Sequence, residues 1–64
     1  MTWEFYEIWV EDEDGHEELI ETTRSRTEAM ALAKSSLTED FISAVVYQEN
    51  EDGDLKEIER IYSD

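Results

Sequence analysis

The chain has no cysteine, so neither a disulfide framework nor a zinc-finger spacing can reinforce it, and packing alone must hold it together. Basic residues are scarce: 5 Lys and Arg stand against 19 Asp and Glu, a formal charge of -14. That balance excludes unaided binding to DNA, RNA or an anionic membrane, each of which needs a basic face. Long apolar runs are missing too. None approaches the roughly 18 residues of a membrane span, and the opening Met1-Thr2-Trp3-Glu4 lacks the cationic stretch and apolar core of a signal peptide. The expectation is a soluble protein of the cytoplasm.

What is present suffices for one small fold. A chain of 64 residues makes a single domain, 1-64, and buries only about 60% of its unfolded surface, which leaves little room for a catalytic pocket beside a core. No enzyme activity is expected. Leu, Ile, Val and Phe make 14 of the 64 residues, just above the level of roughly 20% below which high charge means disorder, and seven aromatics tip the balance to a folded chain.

Residues 2–11 are rich in aromatic and β-branched side chains and run through Glu11-Asp12-Glu13-Asp14-Gly15-His16-Glu17-Glu18 into Leu19-Ile20-Glu21-Thr22-Thr23. Asp14-Gly15 between two such runs predicts an antiparallel hairpin closed by a type I′ turn. Ser25 followed by Glu28 reads as a capping box, and Ala29, Met30, Leu32, Ala33 and Leu37 then share one face of a helix over about 26–37. Residues 41–48 form a third strand, ending at Glu49-Asn50-Glu51-Asp52-Gly53-Asp54, a second acidic Asp-Gly turn.

The last segment is ambiguous. Leu55, Ile58, Ile61 and Tyr62 fit helical spacing, whereas the Asp-Gly turn calls for a partner strand; the strand is favoured because an unpaired third strand would leave an apolar edge. The fold class is therefore α+β, ββαββ, a four-stranded sheet of two hairpins with one helix packed on one face. Because the helix joins the second and third strands, these should run parallel, which sends the acidic turns to opposite ends of the sheet.

Alternation puts Tyr6, Ile8, Val10 and Leu19 on one face of the first hairpin and Trp3, Phe5, Trp9 and Ile20 on the other. One helix covers one face. The second is a homodimer seam, a partner contact or a partly exposed aromatic surface.

Chemistry-bearing patterns are weak. His16 sits in a turn with no nucleophilic Cys or Gly-x-Ser-x-Gly elbow to serve. Both turns partly match a calcium loop, through Asp12, Asp14, Gly15 and Glu21 and through Asn50, Asp52, Gly53 and Glu59, but the first ligand position holds Val10 or Gln48 and the flanks read as strands. No metal and no cofactor is expected. The charge itself is more informative, since solubility is met by a net charge of magnitude about 2 to 8 and the surplus strains the compact state. Alternate residues along a strand lie about 6.6 Å apart and phosphates along a DNA strand about 3.4 Å, so carboxylates from strands and turns can approximate a phosphate array. One candidate group is Asp12, Glu13, Asp14, Glu17, Glu18 and Glu21; the other is Glu49, Glu51, Asp52, Asp54, Glu57 and Glu59.

With its size, its charge, the opening Trp3-Glu4-Phe5-Tyr6-Glu7-Ile8-Trp9 and the two acidic Asp-Gly turns, the chain resembles the small, acidic, phage-encoded DNA-mimic inhibitors of bacterial defence, and among them an anti-CRISPR protein of the type I-C class. The resemblance implies a bacterial host cytoplasm and a basic nucleic-acid-binding partner, a subunit of the CRISPR Cascade, whose Lys/Arg-lined DNA channel the acidic residues occupy. It implies no catalytic residues. Two other accounts fit the composition: an interaction module such as an antitoxin or adaptor that binds through its aromatic face, and a halophile domain kept hydrated by its acids.

Overall fold

The computed structural model describes residues 5–63. Four strands and one helix follow in the order β1 (Tyr6–Glu11), β2 (Glu17–Thr23), α1 (Arg26–Ser36), β3 (Ser43–Glu49) and β4 (Leu55–Tyr62). They form one antiparallel sheet of order β2-β1-β3-β4. The fold is α+β, ββαββ, and the C-terminal segment is a strand. β3 starts and ends slightly later than the sequence suggests, and residues 2–4, Trp3 among them, lie outside the described residues.

Strands β2 and β3 both run antiparallel to β1 and therefore parallel to each other, with β1 between them. Glu11 pairs with Glu17 and Ser43, and Tyr6 with Thr23 and Gln48, so the β1–β2 turn and the β3–β4 turn leave the sheet at opposite ends. The edge strands β2 and β4 carry most of the strand charge, which blunts strand-to-strand association at both borders.

The core lies between the helix and one sheet face. Tyr6, Ile8 and Val10 of β1 and Ala44 and Val46 of β3 are buried against Ala29 and Ala33, with Met30, Leu32, Leu37, Phe41, Ile58 and Ile61 packed around them. Alanines four residues apart let the helix backbone approach the sheet closely. Only half of the expected capping box forms: Ser25 Oγ accepts from the Glu28 N–H (3.2 Å), but the Ser25 N–H donates to Thr23 Oγ1 (3.2 Å) rather than to Glu28.

Two bulges change which residues share a face. Trp9 pairs with Leu19 and Ile8 with Glu21, leaving Ile20 as the extra residue of β2; Tyr47 pairs with Glu57 and Val46 with Glu59, leaving Ile58 as the extra residue of β4. Leu19 therefore joins Trp9 on the open face, not Tyr6, Ile8 and Val10 on the helix face as strict alternation had it. Ile58 and Ile61 both reach the core, three residues apart, because the bulge resets the alternation between them.

Candidate functional site

Both acidic turns have one build. In the first, the Asp12 N–H donates to the His16 carbonyl (3.0 Å) and the Gly15 N–H to the Asp12 carbonyl (3.1 Å). Asp12 Oδ1 accepts from the backbone N–H groups of Asp14 (2.9 Å) and His16 (3.0 Å). In the second, the Asn50 N–H donates to the Asp54 carbonyl and the Gly53 N–H to the Asn50 carbonyl, both at 3.0 Å, and Asn50 Oδ1 accepts from Asp52 (2.9 Å) and Asp54 (3.0 Å). Among the described residues only the glycines take positive φ, +87° in each. This corrects the type I′ expectation, which needs positive φ at Asp14 and Asp52 as well: each is a type I turn closed by a left-handed glycine, with the first side chain bracing the loop.

The backbone N–H of His16, helped by those of Asp14 and Gly15 and by the His16 side chain, lowers the Asp12 carboxyl below its ordinary value. Asp12, Asp14 and His16 bring ligand atoms within 4.8 Å of one another, but this follows from the turn itself, and Asp12 Oδ1 already accepts two hydrogen bonds. The calcium-loop reading loses its last ligand: Glu21 lies opposite Ile8, four strand residues or about 13 Å from Asp12. Glu59, opposite Val46, is likewise in mid-strand.

Beside the first turn the fold adds two carboxylates that sequence reasoning passed over. A cleft of about 320 Å³ is lined by Asp12, Glu13, Asp14, Glu39, Asp40 and Ile42. The Ile42 N–H donates to the Glu11 carbonyl (2.9 Å), which ties the segment after the helix to the end of β1. Glu39 and Asp40 stand out in sequence only as helix breakers. Their place beside the turn depends on β3 pairing with β1, a contact between residues more than thirty positions apart.

The twelve candidate carboxylates do not form two continuous rows. Asp12, Glu13 and Asp14 sit at one end of the sheet, and Glu51, Asp52 and Asp54 in the turn at the other, with Glu49 closing β3 opposite Leu55. By register Glu17 and Glu57 belong to the open face, whereas Glu18, Glu21 and Glu59 belong to the helix side of the edge strands. Glu57 and Glu59, two apart in sequence and expected side by side, are separated by the Ile58 bulge onto opposite faces.

Among the described residues, no element covers the face away from the helix. Leu19, Trp9, Val45 and Arg60 form one row across it; Glu17, Glu11, Ser43 and Tyr62 form the next. Val45 is buried beneath its neighbours, Trp9 and Tyr47 are half-buried, and Leu19, Leu55 and Tyr62 are exposed. Trp9 Nε1 donates to Glu7 Oε1 (3.0 Å). Arg60 contacts Glu57 (3.0 Å) and Glu11 (3.8 Å), and its bond to Glu57 holds its proton more firmly than usual. Burial, then the charge of Glu17, raises the Tyr47 phenol above its ordinary value, with Glu57 and Glu11 adding to the effect and Arg60 opposing it.

The chain matches no protein-family model, no curated protein sequence and no solved structure. Among the described residues no helix is long and apolar enough to cross a membrane.

Proposed function

We propose that the protein is a non-enzymatic inhibitor that imitates DNA, its acidic ends and edges occupying the basic channel of a nucleic-acid-binding protein and keeping target DNA out. The observation that carries this reading is the repetition of one acidic turn at opposite ends of an elongated molecule. The long dimension is 39 Å. It follows the strands, since four strands span only about 14 Å across while an eight-residue strand with its turns is longer. One turn of B-DNA is about 34–36 Å, so the two carboxylate clusters are spaced on the scale of phosphates one helical turn apart.

Folding gives the clustered carboxylates little to do. The side chains of Glu13, Asp14, Glu51 and Asp52 are exposed, and none has a hydrogen bond or ion pair to a described residue. The resemblance to phage-encoded DNA mimics narrows the partner to a type I CRISPR surveillance complex and the cell to a bacterial host. A second reading, a module binding through its aromatic face, draws support from the row around Trp9, which no described element covers. Competition decides between them: the protein should displace a labelled DNA duplex from a purified type I surveillance complex, with an affinity that falls steeply as salt rises. Co-binding of protein and DNA to the complex would overturn mimicry.

A further inference from the structure

Building on the reading of a basic partner, we propose that the open-face cleft beside Trp9 receives one arginine side chain of that partner. The cleft has a volume of about 250 Å³ and is lined by Trp9, Glu17, Tyr47 and Leu55, one residue from each of the four strands. Two aromatic rings, an aliphatic side chain and a carboxylate are what a guanidinium on an apolar stem requires: ring faces attract the cation, Leu55 packs the methylenes and Glu17 supplies the counter-charge. Arginine suits such a site better than lysine, because its planar, weakly hydrated head stacks on rings.

The internal partners are arranged to leave this role open. The one polar atom of the Trp9 side chain is satisfied by Glu7, so what remains for a partner is ring surface. Arg60, the only cation that the register assigns to this face among the described residues, is held by Glu57 and Glu11. The Glu17 carboxylate has no hydrogen bond or ion pair to any described residue, although it lines the cleft. Burial first, and then the charge of Glu17, raises the Tyr47 phenol, with Glu57 and Glu11 adding to the effect and Arg60 opposing it, so carboxylate charge reaches this cleft as well as apolar surface.

Charge also selects the occupant. A second copy of the chain would bring another -14 and set Glu7, Glu11, Glu17 and Glu57 against their own images, whereas a cationic side chain gains from every one of them.

A tetra-arginine peptide titrated into isotopically labelled protein at about 0.3 M salt, where the screening length is down to roughly 6 Å, provides the test. The Trp9 indole N–H, the Tyr47 ring and the Leu55 methyl signals should shift together. Glu17→Gln, on an exposed strand position, and Tyr47→Leu should each weaken binding about three- to tenfold, the range of a single cation–π or charge contact. Tetra-lysine should bind more weakly than tetra-arginine. Shifts confined to residues 12–16 and 50–54, unchanged affinity in both variants, or a dimer that shields Trp9 at the working concentration would each overturn the site. DNA displacement from the surveillance complex reads the turn carboxylates instead, so a protein that takes the peptide in the cleft but fails to exclude DNA would discard the mimic and keep the cleft.

Discussion

The two hairpin turns are the same object built with different charge. Asp12 and Asn50 accept the same pair of backbone hydrogen bonds at 2.9 and 3.0 Å, and Gly15 and Gly53 share a φ of +87°. A neutral amide oxygen thus braces this loop as well as a carboxylate, and the geometry does not require the acid. The difference lies outside the turn: the first has Glu39 and Asp40 beside it and forms an acidic cleft, while among the described residues the second is flanked by its own Glu51, Asp52 and Asp54 and by Glu49 at the end of β3. Acids that the turn does not need are the ones most open to explanation by a partner.

Charge reversal should have the largest effect and should separate the two ends. Glu13, Asp14, Glu39 and Asp40 changed together to Lys take the net charge from -14 to -6, at two units per site; Glu51, Asp52 and Asp54 changed to Lys take it to -8. Because steering by charge raises association rates about 10- to 1,000-fold, the first variant should slow association with the surveillance complex by at least tenfold and the second by less. Stopped-flow binding measures the rates, and unchanged far-UV CD would show that both variants fold. Equal losses would mean that Glu39 and Asp40 add nothing to the first end.

Backbone strain gives the next effect, and here the turns should agree. Gly15→Ala and Gly53→Ala add a methyl group that meets no atom within 4 Å, so the cost is that of left-handed backbone alone, about 1–2 kcal/mol in each case. Urea denaturation should find the two values within about 0.5 kcal/mol of each other. A clearly unequal pair would show that one hairpin is braced by contacts the other lacks.

Much of the fold was legible because local signals agreed with one another. Ser25 marked the helix start, the two Asp-Gly pairs marked the hairpins, and connectivity alone sent the turns to opposite ends. The illegible part was the pair of bulges. Leu55, Ile58 and Ile61 mimic helical spacing because the extra residue Ile58 breaks the two-residue period, and no turn residue or glycine announces it. That bulge moves Glu59, and the matching bulge at Ile20 in β2 moves Leu19, to faces that alternation does not predict. Of the candidate site, the turn acids could be read directly. Glu39 and Asp40 could not, since their position comes from strand pairing at long range.

The smallest effect is a pH response confined to one turn. The folded-state carboxyl of Asp12 lies below the ordinary 3.8, so its contribution to stability is present above the unfolded value and is lost as pH falls through the lower, folded one. Asp12→Asn should keep the hairpin, copying Asn50, yet flatten the acid limb of the stability curve below about pH 4. Acid unfolding followed by tyrosine and tryptophan fluorescence would measure it. An acid limb identical to wild type would mean that backbone donors around Asp12 favour its neutral and charged forms alike.

The central claim is that carboxylates at the two ends, rather than the aromatic face, exclude DNA. Competition between the protein and a labelled duplex for a type I surveillance complex tests this most directly, run side by side on wild type, the Glu51/Asp52/Asp54→Lys variant, the Glu13/Asp14/Glu39/Asp40→Lys variant and Tyr47→Leu. At least one end variant should lose most of its inhibition, with Tyr47→Leu weakened only about three- to tenfold. If both end variants still exclude DNA while Tyr47→Leu, still folded, does not, the acidic turns are not the mimic and the open face is the binding surface.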